Sequence, residues 1–157
     1  MKISELVDGF LTQRTLAVVG VSRKKTDFSR QLVDLMRRNN YTIYPVNPHA
    51  DELDGEHCYR QVSDIPSPVE GAMLMVSDAQ LDAAIRECIA AGISKIWIYG
   101  VGHPRKLSMD VLRLSQEKNV SLINGLCPRM FLHDASWPHR LHKWIALRGR
   151  TYRTSPA

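Results

Sequence analysis

The stretch best equipped for chemistry is Thr15-Leu-Ala-Val-Val-Gly-Val-Ser22 together with the cations behind it, Arg23, Lys24, Lys25 and Arg30. An apolar run stops at Gly20, a polar basic turn follows, and Phe28, Leu32, Leu35 and Met36 then recur at helical spacing, with Thr26 or Asp27 placed to cap the first turn. That order is strand, turn, helix. Free backbone N–H groups at such a helix start, with cations around them, form an anion site suited to a ligand with several phosphates. The pattern is Gly-Val-Ser and not Gly-x-Gly-x-x-Gly, so two glycines of the dinucleotide fingerprint are missing. The rest of the chain must decide whether Gly20 does more than end a buried strand.

Other reactive side chains are sparse. His103 follows Gly100-Val-Gly102 and could act as nucleophile or base, but no partner acid can be named, and a loop histidine beside Pro104 reads as a surface residue. Cys127 precedes Pro128 at a strand end; a cysteine there is reactive only with a stabilised thiolate, and it reads as a small buried residue shaping a pocket floor. His133, His139 and His142 match no strong metal spacing, so no metal site is expected. Cys58, Cys88 and Cys127 are odd in number and contain no Cys-x-x-Cys pair, which argues against a disulfide framework or a zinc knuckle. No catalytic residue is assigned.

The elements that must position these groups alternate. Ile3, Leu6, Val7 and Phe10 mark a short amphipathic helix. After the first strand and helix, Tyr41 to Val46 reads as a second strand stopping at Asn47-Pro48. Between His49 and Val69, Asp54-Gly55 is a turn signal, His57 to Tyr59 a short extended piece, and Val62 to Ile65 one helical turn. Gly71 to Val76 is a third strand, followed by a helix capped by Ser77 or Asp78, striped by Leu81, Ile85, Cys88 and Ile89, and stopped at Gly92. Lys95 to Tyr99 is a fourth strand; a helix with Leu107, Val111 and Leu114 on one side follows it. Val120 to Asn124 is the fifth, ending at Gly125. Such alternation implies an α/β fold, a doubly wound parallel sheet of about five strands covered on both faces. The ligand site then lies at the C-terminal ends of the strands, where their order reverses beside the first strand. Gly20, Asn47, Ser77, Gly100 and Gly125 all fall at such ends, where small or turn-forming residues let backbone approach a ligand. A last helix over about 137–147 should carry Leu141, Trp144 and Ile145 on one face, and 149–157 reads as a disordered tail.

The 157 residues, 44% apolar and 24% charged, fit a single domain spanning 1–148 with its core over about 15–128. No apolar run is long enough for a membrane span and no secretory pattern opens the chain, so a cytoplasmic location is expected. The net charge of +5 belongs to the tail, where six Lys or Arg follow from Arg129 onward against Asp134. Such a tail suits a solvated face or a homo-oligomer contact through the last helix better than a nucleic acid.

Taken in order, Ala17-Val-Val-Gly-Val-Ser22, Tyr44-Pro-Val-Asn-Pro48, Leu53-Asp-Gly-Glu56 with Tyr59, Ser63-Asp-Ile-Pro66 and Gly125-Leu-Cys-Pro128 resemble the small stand-alone CoA-binding proteins. These are similar to the N-terminal CoA-binding domain of the succinyl-CoA synthetase alpha subunit. The resemblance runs from about Thr15 to Pro128 and implies a Rossmann-like sheet that binds coenzyme A or an acyl-CoA. It implies that Gly20, Val21, Ser22 and Arg23 line the pyrophosphate and that Asn47 and Pro48 edge the nucleotide. Val76 and Ser77 would lie beside the adenine or pantetheine, with Tyr99 and Gly100 closing the far side. In the related ligase subunit a lysine follows a Pro-Gly after the second strand; here His49 follows Asn47-Pro48, leaving Lys24, Lys25 or Arg30 to supply that cation. The ligase also needs a second domain carrying a phosphorylated histidine, for which this chain has no room, so a non-catalytic or regulatory binder is expected. The residues agree on one point: the second strand ends without the carboxylate that accepts hydrogen bonds from an NAD ribose, none appearing before Asp51. An NAD(P)-dependent reductase on the same fold is the rival, and an interaction module using the basic tail a third.

Overall fold

Strand β1 (Thr15–Val19) is the centre of the molecule: Leu16, Ala17 and Val18 are fully buried, which only a strand covered on both faces achieves. A computed structural model describes residues 2–132, and the expected last helix, the three C-terminal histidines and the basic tail beyond Arg129 lie outside them. In chain order β1 is preceded by α1 (Ile3–Leu11) and followed by α2 (Phe28–Arg38), β2 (Thr42–Val46), the two-residue strands β3 (Glu52–Leu53) and β4 (Glu56–His57), and a 3-10 turn over Val62–Asp64. Then come β5 (Gly71–Leu74), α3 (Asp78–Ala90), β6 (Lys95–Tyr99), α4 (Met109–Glu117), β7 (Ser121–Leu126) and a 3-10 turn at Pro128–Met130. The main sheet is parallel, in the order β2-β1-β5-β6-β7. The Rossmann-like expectation is met, and the order reverses between β1 and β5.

The two faces of the sheet make two cores. On one, Val7 and Phe10 of α1 and Leu32, Val33, Leu35 and Met36 of α2 pack on Leu16, Val18, Met73, Trp97 and Ile123. Phe10 meets Trp97 edge-on at 5.3 Å, and the Trp97 indole donates to the Leu126 carbonyl at 2.9 Å, satisfying the one polar atom of a fully buried ring. On the other face, Leu81, Ala84, Ile85 and Cys88 of α3 and Val111 of α4 cover Ala17, Val19, Ala72, Leu74, Ile96 and Ile98.

The segment between β2 and β5 is ordered by its turn chemistry. Asp54 and Gly55 take φ of 53° and 82°, the paired positive values of a tight hairpin turn joining β3 to β4. Beyond it Tyr59 bridges Val46, and its N–H donates to the Pro45 carbonyl at 2.9 Å, covering the edge where Pro45 has no N–H to offer. Several boundaries shift by a residue, and three differ from the sequence expectation in kind or by more. The third long strand stops at Leu74; Leu107 precedes the Ser108 cap of α4; and β7 runs through Gly125 to Leu126, with a register shift opposite Ile98 and Tyr99. Gly125 holds φ +86° inside the strand, so a glycine that reads as a stop is a bulge. No helix among the described residues is long and apolar enough to cross a membrane.

Candidate functional site

Gly20 turns the chain out of β1 with φ +92°, and a Cβ there would lie 2.5 Å from the Met75 carbonyl oxygen. The exits of β1 and β5 therefore touch through backbone, as only glycine permits. Beyond Gly20 the turn is wired from within. The Gly20 and Val21 amides both donate to the Val46 carbonyl, at 2.9 and 3.3 Å, and the Ser22 amide donates to Ser29 Oγ at 2.9 Å. Ser29, 2% exposed, donates its own hydroxyl hydrogen bond to Asp27 Oδ1 at 2.6 Å, and the same oxygen accepts from the Ser29 amide at 2.8 Å. The Ser29 hydroxyl and then its amide hold the Asp27 carboxyl below the ordinary 3.8, against a smaller opposing effect of burial.

These bonds correct an expectation. The amides of Gly20, Val21 and Ser22 are taken by Val46 and Ser29, and at the α2 start those of Ser29, Arg30 and Gln31 are taken by Asp27. The Arg23, Lys25, Thr26 and Phe28 amides make no hydrogen bond among the described residues. Of the side chains, Arg23 and Lys24 are exposed and make no ion pair among the described residues, whereas Arg30 donates to the Ser22 carbonyl at 3.2 Å and pairs with Asp54. Asn47 braces the same turn, its Nδ2 donating to the Val21 carbonyl at 2.8 Å and its Oδ1 accepting the His49 amide at 2.8 Å, so Asn47 and Pro48 support the turn from the β2 side.

A cavity of about 650 Å³ opens where the strand order reverses. It is lined by Asp27, Phe28 and Ser29 from the α2 start, Met75 to Asp78 from the β5 exit, and Tyr99, Gly100, Val101, His103 and Arg105 from the β6 exit. Of the residues expected at a site, Val76, Ser77, Tyr99 and Gly100 line it. Gly20, Val21, Ser22, Arg23, Lys24, Arg30, Asn47, Pro48 and Cys127 do not. Phe28 and Tyr99 stack at 5.1 Å with a 31° tilt, and burial raises the Tyr99 hydroxyl's pKa. Cys127 is buried at the β7 end and its thiol is pushed up, chiefly by burial. Ser77 caps α3 together with Gln80.

Arg105 is the site residue the sequence did not disclose. Its side chain is 14% exposed; Nε and a terminal nitrogen reach Asp78 Oδ1 at 2.7 and 2.6 Å, and the other terminal nitrogen donates to the Val76 carbonyl at 2.8 Å. Its backbone exchanges two bonds with the Asn124 amide, at 2.9 and 2.8 Å. The loop after β6 is thereby strapped across the β5 exit, with the Gly100 and Gly125 Cα positions so close that a Cβ on Gly100 would come within 2.8 Å of Gly125. The one signal in the sequence was a lone arginine just past a strand end.

The profile of a family described as a CoA binding domain matches residues 14–133. Among curated proteins, the ADP-forming acetate–CoA ligase of Methanocaldococcus jannaschii is 23% identical over 118 residues, which are 73% of this chain and 17% of the ligase. The uncharacterized protein YneT of Bacillus subtilis is 23% identical over 124 residues, 79% of this chain and 89% of its own. Among solved structures, a hypothetical protein from Pyrococcus horikoshii OT3 superposes with a TM-score of 0.69 at 19% identity, over 93% of both chains. The chain thus spans less than a fifth of the ligase it matches.

Proposed function

The chain belongs to the CoA-binding domain family, and from that premise we propose that it binds coenzyme A or an acyl-CoA at the C-terminal edge of its sheet without catalysing a reaction. The observation that carries this reading is the cavity at the reversal point between β1 and β5, walled by the Phe28 and Tyr99 rings, with the basic turn Arg23 to Lys25 on the same strand end. Gly20 lets the β1 and β5 exits meet beside that cavity. The pyrophosphate would lie over the Arg23 to Thr26 turn, held by its unspent amides and by Arg23 and Lys24, with Gly20, Val21, Ser22, Asn47 and Pro48 fixing the turn's shape. Val76, Ser77 and Gly100 would face the adenine or pantetheine, and bound CoA would bring a thiol able to carry an acyl group.

Asp51, the first carboxylate beyond β2, supports a phosphorylated ribose over the NAD of a reductase. Both its oxygens are taken by Arg60, at 2.7 and 3.0 Å, so it is not available to ribose hydroxyls. A non-catalytic role is supported by the three buried thiols, all pushed up, Cys88 to about 12. The test is the shift of melting temperature with CoA, acetyl-CoA, dephospho-CoA, NAD, NADP and ATP in parallel. A ligand present at a hundred times its Kd stabilises the native state by about 2.7 kcal/mol, enough for a shift of several degrees. CoA should give it and dephospho-CoA less; a shift with NAD or NADP alone would overturn the reading.

A further inference from the structure

Of the four side-chain cations on the turn between β1 and the first part of α2, two are already occupied by one carboxylate. Lys25 Nζ lies 2.7 Å from Asp54 Oδ1, and the Arg30 guanidinium holds the other oxygen, Oδ2. Arg30 is fixed in place: its side chain is only 12% exposed and its second terminal nitrogen donates to the Ser22 carbonyl. Asp54, by contrast, stands at the tip of the β3–β4 hairpin with its side chain 43% exposed. That hairpin has just two residue pairs, Glu52 with His57 and Leu53 with Glu56, and the pair beside the turn is itself anchored, Leu53 by burial and Glu56 by its ion pair with Arg37. The turn's backbone is therefore held in place, whereas the exposed Asp54 side chain can rotate off its two cations at the small cost of surface ion pairs.

We propose that Asp54 is an internal stand-in for a phosphate: it fills the anion position built by Lys25 and Arg30, and a phosphoryl group of the ligand enters there by displacing it as the Asp54 side chain rotates out. This rests on the CoA-binding reading given above. The exchange is favourable because a phosphate monoester brings nearly two negative charges and three strong acceptor oxygens where the carboxylate brings one charge and two, and a guanidinium fork matches either. Asp54 is ionised at neutral pH like any aspartate, and Lys25 first and then Arg30 lower its carboxyl further, so the competition persists there. The hairpin thereby sets the affinity and keeps Lys25 and Arg30 from capturing smaller anions.

The experiment is calorimetric titration of the full chain with CoA and, separately, with inorganic pyrophosphate, comparing the parent with Asp54→Asn, Glu52→Gln, Arg30→Gln and the Asp54→Asn/Arg30→Gln double variant. Asp54→Asn keeps the hairpin, since Asn-Gly suits the same turn. It should bind CoA about three- to ten-fold tighter, the range expected from releasing exposed ion pairs. Glu52→Gln removes the same charge from the same hairpin where no ion pair exists among the described residues, and should stay within about two-fold of the parent. The gain from Asp54→Asn should vanish in the Arg30→Gln background. Unchanged or weaker CoA binding by Asp54→Asn, or an equal gain from Glu52→Gln, overturns the proposal while leaving CoA binding intact. If no variant binds CoA yet Asp54→Asn takes up pyrophosphate more tightly than the parent, the CoA reading fails and the stand-in survives.

Discussion

Gly20 does two jobs that different residues do elsewhere in the chain: it holds a left-handed backbone and it leaves room for a neighbouring carbonyl. Gly55 does only the first, with φ +82° and open space where a Cβ would stand. Gly20→Ala should therefore lower stability by about 1–3 kcal/mol, and clearly more than Gly55→Ala, read as the urea midpoint at constant m. Equal losses would mean the β1 and β5 exits can part freely. Asp27 carries a pH signature. Its carboxyl is depressed in the folded chain and ordinary in the unfolded one, so its contribution is complete above about pH 4 and is lost as pH falls through the folded value. Asp27→Asn retains a capping side chain, so stability measured by urea unfolding from pH 6 downward should fall less steeply in acid than that of the parent. Gly20, Asp27 and Ser77 were legible because turn and cap chemistry is local. Ser29 and Arg105 were not, because what defines them is a partner seven or more residues away, Ser22 in one case and Val76, Asp78 and Asn124 in the other.

Elements were easier to read than their ends. Lys95 to Tyr99 forms a strand with the bounds its β-branched and aromatic run dictates, and Asp54-Gly55 forms the hairpin turn its dipeptide requires. The end of β7 misled because glycine serves both stops and bulges, and the choice is made by β6 beside it and by the loop at His103 and Pro104, whose backbone would lie 2.6 to 2.7 Å from a Cβ on Gly125. That same strand end carries Asn124, which fastens the loop after β6 through both atoms of its amide. Asn124→Ala should release the loop without unfolding the sheet. Hydrogen exchange at residues 100–106 should accelerate by about ten-fold or more, as one lost local interaction of about 1.4 kcal/mol implies, while Ile96 to Ile98 keep their protection.

At the scale of the whole molecule, the motif order along the chain was more informative than any one motif: five short sequences in a fixed sequence pointed to the CoA-binding domain, and the family profile matches the span that contains them. The cavity itself was legible only as a place, the strand ends at the reversal, since its walls come from α2, β5 and the loop after β6. The reversal has one more consequence, in time. β1 lies between β2 and β5, yet β5 does not begin until Gly71, so a chain emerging from its N-terminus can pair β1 on one side only while the segment from Gly20 to Glu70 is made. Throughout that interval Leu16, Ala17, Val18 and Val19 present an apolar strand with an open edge, the kind of surface that pairs with the wrong neighbour. Parallel pairing across so long a loop is slow. The protein's exposure to aggregation is therefore decided during synthesis, at the same junction where the finished fold opens its cavity.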